Sequence, residues 1–98
     1  MIDLRVRSES GETVLRGACA VAWSAELGAL DAQRFPHLTG LLPYADAMFN
    51  SRQASRLREE VGDPHVREII GVDAAQEIER LCSHVEQGAA LYLWFLGD

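Results

Sequence analysis

The side chains able to do chemistry are few and scattered in this chain of 98 residues: Cys19, Cys82, His37, His65, His84 and one polar run, "PYADAMFNSRQ". A metal centre needs His, Cys or carboxylate ligands that converge. The nearest pair, Cys82 and His84, is two residues apart in a helical pattern, and side chains at that spacing do not face each other. His37 and His65 have no partner nearby in sequence, so the histidines read as surface or helix-cap residues, and neither metal nor cofactor is implied. A Cys–His nucleophile pair is formally available, but Cys82 sits beside an apolar stripe, where a thiol ordinarily serves as inert packing. There is no glycine-rich phosphate loop, no Gly-x-Ser-x-Gly elbow and no Cys-x-x-Cys. No catalytic residue is assigned, and an enzyme is not expected.

The polar run gathers Tyr44, Asp46, Asn50, Arg52 and Gln53 within ten residues, at the mouth of a helix. A functional reading makes it a small ligand pocket beside a helix N-terminus, which favours anions. A structural reading makes Asn50 the helix cap with Gln53 reaching back in a capping box, Asp46 a turn residue and Tyr44 core cover. Capping already accounts for Asn50 and Gln53, so the structural reading carries more weight.

Chemistry also includes binding, and the end of the chain, "GAALYLWFLGD", points there. Ala89 to Leu96 is eight apolar residues, far short of the roughly twenty that a membrane-spanning helix needs. Aromatic residues bracketed by Gly88 and Gly97 favour a strand. As a strand it places Leu91, Leu93 and Phe95 on one face and Tyr92, Trp94 and Leu96 on the other. Both faces are apolar, the mark of a central strand covered on both sides or of one face given to a partner.

Other elements must position these residues. "MIDLRVRS" alternates, "SESGE" is turn chemistry and "TVLRG" resumes the pattern, so residues 2–17 read as a β-hairpin. Residues 18–23 read as a strand ending at Trp23, with a short helix or turn opening at Ser24. "HLTGLL", bracketed by Pro36 and Pro43, reads as an extended segment or edge strand. A helix then opens after Asn50, with Ala54, Leu57 and Val61 inward and Phe49 and Ala54 placed as a weak hydrophobic staple. A second helix starts at Asp63 and Pro64, with Val66, Ile70, Ala74, Ile78, Leu81 and Val85 inward. Gly71 and Asp73 are candidate breaks, Asp73 with Gln76 forming a second capping pair. The expected fold is α+β: one domain over residues 1–98, a small antiparallel sheet built from the N-terminal hairpin and the C-terminal strand, packed against a helical hairpin. Two helices cover one face of such a sheet, which leaves the 24–43 segment to cover Tyr92 and Trp94, or nothing.

Two of these stretches carry a resemblance. "PYADAMFN" with Gln53, and the terminal "LYLWFLGD", resemble a group of short bacterial proteins of no known function with a Tyr-Gly-Asp-Thr-Val-Phe-Asn pattern, a Gln three residues on, and an end of the type Leu-Tyr-Leu-x-Phe-x-Gly-Asp. Tyr44, Asp46, Phe49, Asn50, Gln53, Leu91, Tyr92, Leu93, Phe95, Gly97 and Asp98 match, whereas Ala45, Ala47 and Met48 depart. The resemblance implies no catalytic assignment.

Composition narrows the partners. Nine basic against fifteen acidic residues give a net charge of −6, which argues against a nucleic-acid backbone as partner. All nine cations are arginine and thirteen residues are alanine, a bias expected of a GC-rich bacterial genome. Two cysteines do not make a secreted disulfide framework, and the N-terminus lacks a signal-peptide core, so a cytoplasmic protein with free thiols is expected. Three functions remain. The first is a protein-interaction or self-associating module, possible as a homodimer, that uses Tyr92, Trp94 and Leu96. The second is an immunity or antitoxin-like inhibitor presenting Glu59, Glu60, Glu68, Glu77 and Glu79 to a basic toxin. The third is a small ligand-binding protein or enzyme using the Tyr44–Gln53 region.

Overall fold

The hairpin forms where alternation and turn chemistry place it. In a computed structural model that describes residues 1–97, β1 (Asp3–Ser8) pairs antiparallel with β2 (Thr13–Arg16). Gly11 turns the chain at φ +91°, a conformation that glycine adopts without a Cβ clash. Leu4 and Val6 are buried, while Arg5 and Arg7 lie half-buried on the opposite face. A bulge between Val6 and Arg7 shifts the β2 register and leaves Val14 exposed.

The last strand, β4 (Leu91–Leu96), runs antiparallel between β1 and a short strand, β3 (Ala47–Phe49), giving the sheet order β2-β1-β4-β3. Leu93 and Phe95 are fully buried, and Phe49 meets Phe95 edge to face at 5.5 Å, a preferred aromatic geometry.

One face of this sheet carries the helices. Helix α1 (Ala25–Gly28) opens at Ser24, whose hydroxyl accepts from the Leu27 amide, and α2 spans Pro36–Thr39. In α3 (Ser51–Glu60) the Asn50 side chain accepts from the Gln53 amide and the Gln53 side chain from the Asn50 amide, each at 2.9 Å. Asp63 caps α4 (Pro64–Ile70) by accepting from the His65 and Val66 amides. Gly71, at φ +89°, then ends that helix, and α5 runs over Val72–Gln87. Of the two candidate breaks in the second helical run, one is realised. The break is at Gly71, and Asp73 lies in the first turn of α5 rather than capping it with Gln76, because the chain is already helical at Val72. Helices α3 and α5 pack on each other and bury Ala54, Leu57, Val61, Ala75, Ile78, Leu81, Cys82 and Val85 against the sheet. The fold is the α+β class expected, with an antiparallel sheet against helices.

Between the hairpin and α3 the structure departs from the sequence reading. The strand expected over 18–23 shrinks to one bridge between Ile2 and Val21. "HLTGLL" begins as helix α2 rather than an edge strand, because Pro36 suits a first helical position and the Glu60 carboxylate accepts from the His37 and Leu38 amides at its start. The strand that does flank β4 is Ala47–Phe49, inside the stretch read as the lead-in to α3. Segment 24–43 joins the helix-side core through Leu27, Phe35, Leu38 and Leu41. It leaves the other face of the sheet alone.

Candidate functional site

That outer face is the answer to what covers Tyr92 and Trp94: among the described residues, no helix or loop does. Its rows follow from strand register. Arg16 of β2 lies opposite Arg5 of β1, Arg5 opposite Trp94 of β4, and Trp94 opposite Met48 of β3. The next row sets Arg7 beside Tyr92, and the row on the other side sets Asp3 beside Leu96. The face thus divides along the β1–β4 boundary into a cationic half and an apolar half.

Arginine side chains partly cover the aromatics. The Arg7 guanidinium lies over the Trp94 ring, 5.0 Å from its centroid, a contact worth about 0.5–1 kcal/mol where solvent reaches it. Tyr92, Trp94 and Leu96 are half-buried, and Met48 is 49% exposed. The three predicted partner-binding residues therefore share one open face, with Met48 and the arginines as neighbours that the sequence reading did not include. Alternation along β1 places Arg5 and Arg7 on the polar side, but only the pairing of β1 with β4 puts them beside Trp94.

Of the six arginines elsewhere, four are ion-paired and Arg52 and Arg56 on α3 are not, among the described residues. Arg34 pairs with Asp63, Arg58 with Glu86, Arg67 with Glu79 and Arg80 with Glu77. Arg5, Arg7 and Arg16 have no ion-pair partner among the described residues, and the buried Arg7 Nε has no hydrogen-bond acceptor. Three unpaired cations and one carboxylate, Asp3, thus share a surface of a chain with net charge −6.

The polar run resolves into structural duties. Asn50 and Gln53 satisfy each other's backbone amides in the capping box. Asp46 Oδ1 accepts from the Gly97 amide at 3.1 Å, joining the approach to β3 with the exit of β4. A Cβ on Gly97 would lie 2.6 Å from the Ala45 backbone, so this close approach needs glycine. Tyr44, expected as core cover, is instead 83% exposed because the chain turns outward ahead of β3, and Arg52 is exposed, so these five side chains do not converge on a common point. The two matching motifs of the resemblance meet here as a lock on the β3–β4 end of the sheet; Asp98, the last matched residue, lies outside the described residues.

The sequence reading missed two buried carboxylates. Glu60 accepts from the His37 and Leu38 amides and from His37 Nδ1, at the floor of a cleft of about 640 Å3 that Arg34, Arg56 and Asp63 also line. Both of its oxygens are engaged in holding α2, and none of the residues lining the cleft is Ser, Thr or Cys. Glu77 accepts from the Ala18 amide and from Arg80 Nε and Nη2 at 2.7 and 2.8 Å. The Arg80 guanidinium, helped by the Ala18 amide, holds the Glu77 carboxyl below the usual carboxylate range. Helical periodicity does set Glu60 beside Leu57 and Val61, and Glu77 beside Ala74, Ile78 and Leu81, at the edge of the inward stripes.

The thiols and imidazoles stay apart. Burial pushes the Cys82 thiol up to about 12, and burial together with Glu77 and Asp73 raises that of Cys19, whose Sγ points at the Asp73 carbonyl. Both cysteines are free, and among the described residues no three His, Cys, Asp or Glu side chains converge as metal ligands. No helix among the described residues is long and apolar enough to cross a membrane. Comparison with family models, curated proteins and solved structures finds no match to this chain.

Proposed function

We propose that this protein is a non-catalytic protein-interaction module that docks a partner on the outer face of its sheet. One observation carries the reading: Tyr92, Trp94, Leu96 and Met48 form a contiguous apolar patch on a central strand and its neighbour, and among the described residues no other element lies over it. Contiguous exposed apolar patches mark interaction surfaces, and Trp, Tyr and Arg are the side chains in which binding energy concentrates. The partner is read as a different protein, because the three arginines call for carboxylates and the same face of a second copy offers only Asp3. An inhibitor of a basic toxin would need a free acidic helical surface. Glu60 and Glu77 are instead buried, and Glu79 is paired with Arg67, which leaves Glu59 and Glu68.

Site-specific photo-crosslinking in cells tests the reading. A photoreactive residue at Met48, on the sheet face, should give discrete adducts with another protein. One at Glu68, on α4, should not. Adducts from position 68 with none from position 48 would place the working surface elsewhere.

A further inference from the structure

We infer that the occupant of this face is an acidic amphipathic segment of the partner, lying along the β1–β4 boundary. The inference rests on the docking face proposed above and names what that face recognises. Its first support is the division of the surface. Arg5, Arg7 and Arg16 form the cationic half, while Trp94, Met48 and Leu96 form the apolar half. Arg5 and Arg7 are two residues apart on one strand, hence about 7 Å apart, and Arg16 lies across the ladder from Arg5, about 5 Å away at the backbone. Carboxylates at neighbouring positions along one side of a helix or strand fall at the same spacing, so one segment reaches all three guanidiniums while its other side covers Trp94 and Met48.

The second support is the state of the cations. Elsewhere four of six arginines pair with carboxylates, Arg52 and Arg56 on α3 being the exceptions, whereas all three here have no ion-pair partner among the described residues. Arg7 Nε is buried without an acceptor, although a guanidinium is built to take a carboxylate on two donors at once. A carboxylate reaches that nitrogen only once the Arg7 side chain lifts from Trp94, which also bares the ring to the apolar side of the segment. Stacked bases are the other anionic candidate, and the charge disfavours them. A nucleic-acid backbone needs many clustered cations, and this face offers three on a chain of net charge −6.

The test uses the full chain and a fluorescein-labelled peptide of about twelve alternating Glu and Leu residues, which presents acid on one side and apolar groups on the other when extended. Two controls accompany it: the same peptide with Gln for Glu, and a fluorescein-labelled oligothymidylate of about twelve nucleotides. Fluorescence anisotropy should show the Glu peptide binding at least about tenfold more tightly than either control, and more weakly as salt rises, because unscreened charge drives the contact. R5Q, R7Q and R16Q combined should lower that affinity about tenfold or more, while R52Q on α3 should leave it unchanged. Circular dichroism checks that both variants are folded, and the salt dependence of the unmodified chain stands without them.

Equal binding of the Glu and Gln peptides, or tighter binding of the oligothymidylate, overturns the acidic segment as occupant. If crosslinking from position 48 persists in that case, the docking face stands and only its specificity was misjudged. If position 48 gives no adducts, the docking face itself is overturned, and the inference with it.

Discussion

Neighbouring residues of β4 should differ sharply in what they contribute to stability, because Phe95 points into the core and Trp94 onto the open face. Phe95 is 1% exposed and packs edge to face on Phe49. Its replacement by alanine removes a buried ring and leaves a cavity, a change that costs about 3–5 kcal/mol. Trp94→Ala loses the Arg7 contact and a half-buried ring, together about 1–2 kcal/mol. Both variants place alanine in the same strand, so the loss of β-propensity is common to them and cancels in the comparison. A domain of this size unfolds in urea with a slope of about 1.5 kcal/mol per molar, so the midpoint should fall by about 2–3 M for Phe95→Ala and by about 1 M for Trp94→Ala. Far-UV circular dichroism is the suitable signal, since Trp23 would confuse a fluorescence comparison. A Trp94→Ala midpoint as low as that of Phe95→Ala would refute the reasoning, for it would mean that the outer face is part of the core and unavailable to a partner.

Three further outcomes are expected. Glu60→Ala leaves the His37 and Leu38 amides without their acceptor and should cost about 2–5 kcal/mol, whereas Glu60→Gln keeps an oxygen there and should cost less; equal urea midpoints for the two would count against the carboxylate as the anchor of α2. Glu77 titrates below its ordinary value of 4.5 when folded, so its contribution is complete above that range and is lost as pH falls through the folded value; Glu77→Gln should flatten the acid limb of stability against pH, and an unchanged limb would refute this. At pH about 8, where an ordinary thiol is partly ionised, Cys82 should resist alkylation until the chain unfolds and Cys19 should react slowly, so labelling of native Cys82 at the denatured rate would contradict the burial described.

Elements governed by neighbours within about four residues were legible in the sequence. The hairpin follows from alternation and a glycine turn, and the start of α3 follows from Asn50 and Gln53. Asp63 with Pro64 marks α4, and the strand character of β4 follows from its aromatics and flanking glycines. Ser24 likewise marks the start of α1, but the two misread stretches, 18–23 and 36–43, lack such signals. Val21 is extended only because Ile2 lies beside it, and α2 is helical because a carboxylate more than twenty residues later receives its first amides. The candidate face was half legible. Alternation places Tyr92, Trp94 and Leu96 together, yet a strand pattern does not say which strands lie beside it or what lies above.

The sequence by itself therefore determined which side chains share a face, where α1, α3 and α4 begin, and that the apolar run Ala89 to Leu96 is too short for a membrane-spanning helix. Only the tertiary structure decided that β4 lies between β1 and β3, that the 24–43 segment joins the helical side, and that Arg7 rests on Trp94. The reason is range. Periodicity and capping express contacts between residues a turn or a strand step apart, whereas Asp46 meets Gly97 across 51 positions and Ala18 meets Glu77 across 59. Contacts of that separation depend on how the whole core closes, and it is that closure which leaves one face of the sheet open.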